Sequence, residues 1–186
     1  MKKKFLLLSL ILSINVFNLS AQAIGVYFCN SYPAGNWAEY IKTSIGGGIN
    51  VEYKLPLNLD KADLNLNLRV ESTALISKDT GVIKTSCDSS IMPGIFINIP
   101  FSIESLSFSF VMELSYGFVA HLIKSDEVSG IYIDQQLCIS PGIRFYTPNY
   151  EKIVFELAPF SSFAFEQSGV IMQAGFRTGI IWHFVE

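Results

Sequence analysis

Between positions 106 and 122 the apolar residues take every even place: Leu106, Phe108, Phe110, Met112, Leu114, Tyr116, Phe118, Ala120 and Leu122. The odd places hold Ser107, Ser109, Val111, Glu113, Ser115, Gly117, Val119 and His121. A helix turns by about 100° per residue and would scatter such a set around its circumference, whereas a strand sends successive side chains to opposite faces. The run is therefore a long, two-faced strand.

The same period returns along most of the chain. Ile45, Gly47, Ile49, Val51, Tyr53 and Leu55 alternate with Gly46, Gly48, Asn50, Glu52 and Lys54, and Leu64, Leu66, Leu68 and Val70 alternate with Asn65, Asn67, Arg69 and Glu71. Pro93, Ile95, Ile97 and Ile99 form a further set, as do Leu137, Ile139, Ile143 and Phe145. Residues 151–166 carry a weaker copy, Ile153, Phe155 and Leu157, which Pro159 is expected to disturb. The last set runs Val170, Met172, Ala174, Phe176, Thr178, Ile180, Trp182 and Phe184. With a short first strand over residues 24–29, the pattern predicts eight strands.

Leu55-Pro56-Leu57, Ile99-Pro100-Phe101 and Thr147-Pro148-Asn149 read as short turns, with residues 30–42, 77–86, 123–129 and 167–168 as the connections between them. Short turns would then gather at one end of a sheet and more variable loops at the other. That is the order of an antiparallel up-and-down meander, and eight strands can close into a barrel without a free edge.

Alternation does not say which face is outside. A soluble barrel would turn its apolar set inward around a hydrophobic ligand; a membrane barrel turns it toward lipid. The charges favour the second reading. Arg69, Arg144 and Arg177 lie on the polar parity in mid-strand, with Glu52, Glu71, Glu113 and Glu156, while Lys42, Lys54, Lys61, Lys78, Lys84, Lys124 and Lys152 fall in or near connections. A water-facing strand surface uses Lys freely, whereas an enclosed one favours Arg, whose planar guanidinium forks onto carboxylates. Gly46, Gly48, Gly94, Gly117, Gly142, Gly175 and Gly179 share the polar parity and leave room for long side chains crossing a narrow lumen. Tyr53, Phe101, Phe145, Tyr146, Tyr150, Trp182 and Phe184 cluster toward the short-turn end as an interfacial girdle.

Composition agrees with a lipid-facing surface: of the 186 residues, 50% are hydrophobic and only 16% charged, against about 25% charged in an average soluble domain. Lys2, Lys3 and Lys4, the apolar run from Phe5 to Leu12, and Ala21-Gln22-Ala23 together read as an export signal, residues 1–23, cut after Ala23. Its removal takes three lysines and no acid, leaving 10 Lys+Arg against 16 Asp+Glu in residues 24–186. An acidic chain gives no electrostatic case for nucleic acid. Cys29, Cys87 and Cys138 are odd in number, and His121 and His183 lie far from them. Neither a metal site, a cofactor nor a disulfide framework follows from these residues, and one bridge stays open in an oxidising compartment.

With these features the chain resembles the small outer-membrane β-barrels of Gram-negative-type bacteria, and its Pro-centred turns and Glu-bearing strands are similar to those of uncharacterised spirochaetal members. The resemblance implies a place in the outer membrane of a diderm bacterium, with outer-membrane lipid and the barrel assembly machinery as partners. The assembly signal would be the final strand with Trp182 and Phe184, although Val185 and Glu186 follow where the family usually ends on its aromatic. For function it implies a membrane anchor or surface-interaction protein, or a narrow channel for small solutes; it does not imply an enzyme as the first reading. Some barrels of this size modify lipid A with a His and a Ser, and His121 with Ser115 is the pair here, but by parity His121 points into the lumen. A soluble periplasmic binder of hydrophobic ligands is the alternative in another class.

The Arg and Glu residues of the polar parity are expected to plug the lumen or to gate small ions. Gly46-Gly47-Gly48 is followed by no helix, so it supplies no phosphate-binding loop. Tyr32, Trp37 and Tyr40, in the longest connection, are candidates for contact with an extracellular partner or for an outer girdle.

Overall fold

The computed structural model describes residues 22–57, 59–78, 83–125, 129–147, 150–166 and 169–184. Its strands are β1 (Ala23–Ala34), β2 (Ile41–Lys54), β3 (Asp63–Ser77), β4 (Ile83–Ile103), β5 (Leu106–Ser125), β6 (Ser129–Thr147), β7 (Tyr150–Glu166) and β8 (Gly169–His183). Each is antiparallel to its neighbour in sequence, and β1 returns onto β8 from Ala23↔His183 to Ala34↔Met172, closing the barrel. The one helical segment among the described residues is a 3-10 turn, Gly35–Glu39, between β1 and β2. Both ends of the described chain meet at the seam. Gln22 N–H donates to the Glu52 carbonyl at 3.0 Å, and Phe184 N–H donates to the Gln22 carbonyl at 2.8 Å.

The apolar parity faces outward on every strand. Ile95, Ile97 and Ile99 on β4, Phe110, Met112 and Leu114 on β5, and Val170, Met172 and Phe176 on β8 are all exposed. A belt of this kind around a closed sheet is the surface of a transmembrane barrel, because water would penalise it by roughly 25 cal/mol per Å² while hydrocarbon does not. At one end Phe108 stacks on Phe101 with centroids 5.5 Å apart and meets Phe145 edge-on at 5.4 Å, an aromatic cluster across three strands.

Several boundaries differ from the sequence expectation. The first strand runs to Ala34 rather than ending at Cys29, because backbone pairing with β8 continues through polar Asn30 and Ser31. Ile99-Pro100-Phe101 is not a turn but part of β4; the chain reverses at Glu104 and Ser105, with Glu104 at φ 53°. Pro100 stands beyond the last β3 pairing, Asp63↔Asn98, where one side of the strand has no partner and a missing N–H is tolerated. Leu55-Pro56-Leu57 opens a connection over residues 55–62 that carries its own bridge, Leu59↔Ala62. Connections 104–105 and 148–149 at the same end are short and those at the opposite end vary in length, so the expected contrast fails only at 55–62. Pro148 and Asn149 lie outside the described residues, as do residues 1–21 of the expected leader.

Pro159 leaves the register of β7 intact. Ladder pairing between β6 and β7 lapses between Ile139↔Ser161 and Ile143↔Leu157, where Pro141 and Pro159 stand, and resumes unshifted. Tyr146, read as part of the girdle, points inward and packs on Ala23, Val154 and Ile181. Its neighbours on β6 set that parity: Arg144 is inward, so Tyr146, two residues on, is too.

Replacing outward Leu114 by Arg should cost about 2–4 kcal/mol of folding free energy in vesicles if it sits near the bilayer midplane. Denaturant titration of the refolded barrel reads this directly, and the wild-type band in SDS should migrate differently unboiled and boiled.

Candidate functional site in the barrel lumen

Polar parity on eight strands converges on an interior so narrow that its side chains must fit against one another. Two glycines show how tight this is. A Cβ at Gly48 would lie 2.6 Å from the Tyr27 hydroxyl, and one at Gly94 would lie 2.5 Å from Asn67 Oδ1 and 2.7 Å from Ser115 Cβ. Only hydrogen at these positions leaves room for Tyr27, Asn67 and Ser115 in the lumen.

The charged side chains fall into tiers along the barrel. Nearest the seam end, Arg144 forks onto Glu52, with Nη1 donating to Oε2 at 2.9 Å and Nη2 to Oε1 at 2.6 Å, while Nε donates to Glu156 Oε2 at 2.7 Å. Its guanidinium also lies 4.7 Å from the centroid of the Phe96 ring. Arg144 is 3% exposed, so the ion pairs operate with little screening by water.

In the middle tier, Arg69 Nη1 donates to Glu113 Oε1, and Nη2 donates to Ser115 Oγ at 2.9 Å. Ser115 Oγ–H donates in turn to Glu113 Oε1 at 2.9 Å. Arg177 reaches Glu113 Oε2 at 3.5 Å and Glu71 Oε2 at 3.9 Å, and Glu71 also accepts from the Tyr27 hydroxyl at 3.2 Å. Arg177 lies 4.5 Å from the centroid of Phe160 and donates to Cys138 Sγ at 2.9 Å. The seven charged residues picked out by parity, Glu52, Arg69, Glu71, Glu113, Arg144, Glu156 and Arg177, thus stand in two connected groups. The three cysteines are free thiols.

A third group at the far end was not foreseen from sequence. His121 on β5 contacts Asp88 on β4 through Nδ1 at 2.7 Å, and its Nε2 faces Asp134 Oδ2 on β6 at 3.7 Å. Glu166, the last residue of β7, brings a carboxylate to the same place. Four strands supply these residues, and no short motif links them. The one available signal was their shared polar parity near the far strand ends.

Above this group lies Trp37, whose ring centroid is 5.7 Å from that of His121. Trp37 also packs with Val119, Ala164 and Ile171, so it is turned inward as a lid. Tyr32 and Tyr40 are exposed, Tyr32 on the outward parity of β1. Trp182 faces outward at the seam end, and Phe184 just beyond β8 is exposed; Val185 and Glu186 lie outside the described residues. His183 lines a vestibule of about 460 Å³ at the seam end with Asn65, Asn98, Arg144 and Tyr146. His121 and Ser115 stand six residues apart on one strand, or about 20 Å at the usual rise, so they do not form a His–Ser pair.

No family model matches the chain, and no curated protein matches it in sequence. Among solved structures it is similar to the Neisserial surface protein A, with TM-score 0.55, 7% identity, and coverage of 87% of this chain and 96% of that one. The outer-membrane enzyme PagL gives TM-score 0.57 and 9% identity over 86% and 99% of the two chains. OprG, an outer-membrane protein of Pseudomonas aeruginosa, gives 0.50 and 11% over 89% and 97%. The fold is that of the eight-stranded outer-membrane β-barrels. At such identities the likeness is one of fold alone, and the set includes both an enzyme and proteins whose descriptions name no enzyme activity.

Arg144→Met should destabilise the barrel by about 3–5 kcal/mol, since it leaves Glu52 and Glu156 buried without their cation. Adding Glu52→Gln and Glu156→Gln should recover most of that loss in denaturant titrations, because the stranded charge is then gone.

Proposed function

We propose that the chain is an integral outer-membrane protein of a diderm bacterium that anchors and presents a surface rather than conducting solutes. The observation that carries this reading is the filling of the lumen. Between the two Arg tiers the cavity lined by Tyr27, Arg69, Glu113, Glu156 and Arg177 has a volume of only about 20 Å³, room for about one water molecule. The vestibule at the seam end therefore leads into ion pairs rather than into a pore. An open porin-like path would need far more strands.

The end away from the chain termini offers a surface to present. There β6 begins at Ser129, yet its pairing with β7 begins only at Gln135, so the β5–β6 hairpin rises beyond its other neighbour. Ile131 and Ile133 on this projection are 67% and 69% exposed, and Tyr132 between them is exposed as well. Apolar residues on both faces of a projecting hairpin suit contact with a protein partner at the cell surface. The termini end would face the periplasm.

The leader belongs to the same reading, with one refinement. Gln22 makes one backbone hydrogen bond to Glu52 on β2 and one across the seam to Phe184, and its Oε1 accepts from Lys54 N–H at 2.9 Å. Ala23 is buried between Glu52 and His183. A cut after Ala23 would remove both, whereas a cut after the small residue Ala21 keeps the seam whole.

In planar bilayers the refolded protein should give no stepwise conductance, and Glu113→Ala, if folded, should stay silent too. Discrete steps from the wild type that change in Glu113→Ala would replace the anchor by a gated channel. Intact-mass measurement of the exported protein should find Gln22 as its first residue.

A further inference from the structure

We propose that the far end of the lumen holds a divalent transition-metal ion, bound by His121 Nε2, Asp134 and Glu166, with Asp88 orienting the imidazole. His121 is 1% exposed, and its Nε2 has no hydrogen-bond partner among the described residues. Buried imidazole nitrogens are ordinarily satisfied, so an unpartnered one aimed at carboxylates points to something between them. The other ring nitrogen lies 2.7 Å from Asp88 Oδ1, and a ring that gives its Nδ1–H there can turn its Nε2 lone pair to a ligand. Asp134 Oδ2 stands 3.7 Å from Nε2.

A metal cation between Nε2 and the carboxylates would engage both, and 3.7 Å is too long for a direct hydrogen bond. One ligand atom from each of His121, Asp134 and Glu166 lies within 4.8 Å of the other two. Around a tetrahedral ion with bonds of about 2.0–2.2 Å the ligands stand about 3.4 Å apart, so the carboxylates need to close by about an ångström or so. Glu166 is the last residue of β7, and Asp134 stands on β6 just before its pairing with β7 begins, where side chains can make that adjustment. The backbone of His121 need not move.

The surroundings are those of a built site. A ligating His commonly gives its second N–H to a carboxylate, and here that carboxylate is itself held: Gln173 Nε2 donates to Asp88 Oδ2 at 3.4 Å, and Ser31 Oγ donates to Gln173 Oε1 at 3.0 Å. Imidazole nitrogen together with two carboxylates suits zinc and its first-row neighbours better than calcium or magnesium, which take oxygen ligands. Three protein ligands leave one position open, and Trp37 roofs the group. The inference does not depend on the anchor reading, since a metal site is compatible with a silent barrel or a conducting one.

The test is titration of the detergent-refolded, metal-stripped chain with Co²⁺ alone, read by visible absorption, followed by displacement with Zn²⁺. One saturable equivalent is expected, with Ca²⁺ unable to compete. His121→Ala should weaken binding by more than about 100-fold, and Asp88→Asn by about 10- to 100-fold as an outer-shell change. Because His121→Ala could disturb the barrel, Asp134→Asn with Glu166→Gln, at the edge of the lumen, should give the same loss with an unchanged heat-dependent mobility in SDS. No saturable cobalt spectrum, binding that survives both sets of substitutions, or equal competition by Ca²⁺ would overturn the site.

Discussion

The ladder between β1 and β8 is the contact on which the remaining structure depends. In hydrocarbon an unpaired N–H or C=O costs several kcal/mol, so an open sheet with two free edges has no stable place there. Twelve residues of β1 find partners on β8, from Ala23 to Ala34. Closure then fixes everything inside: with eight strands the interior is too narrow for a stream of water and too polar for an oily core. The sequence has to fill it with side chains that satisfy one another.

Arginine solves that packing problem and creates the next one. Each guanidinium spans the lumen and brings several donors, which is why Arg144 holds two carboxylates and Arg69 holds a carboxylate and a hydroxyl. The flat faces are used as well, on Phe96 and Phe160. Such contacts cross between strands far apart in sequence, so they tie opposite walls together. The outside needs no comparable specificity, because lipid accepts any apolar residue of roughly the right size.

This difference decides what could be read from the chain alone. Face assignment depends only on parity, so the outward set on β5 and the inward places of Arg69, Arg144 and Arg177 are legible residue by residue. Strand ends are not, because pairing is made by backbone groups that polar residues possess equally. Asn30 and Ser31 therefore continue β1, and Pro100 sits within β4 where the neighbouring strand has already ended. Tyr146 shows the limit for girdles, since an aromatic near a strand end belongs to the surface only if its parity is outward. The partnership of His121 with Asp88, Asp134 and Glu166 was invisible for a further reason: it depends on the stagger of four strands, which no local pattern encodes.

The tiers differ in how their charges balance. Two arginines meet two glutamates in the middle tier, and one arginine holds two glutamates at the seam end, each through its own hydrogen bonds. At the far end three carboxylates gather about a single imidazole, and Asp88 is held by Gln173 as well. The proposed ion would bring to this end the positive charge that arginines bring to the other two tiers. Since the barrel itself is shared by an outer-membrane enzyme and a surface protein, what distinguishes this chain must lie in such local arrangements of side chains rather than in the scaffold.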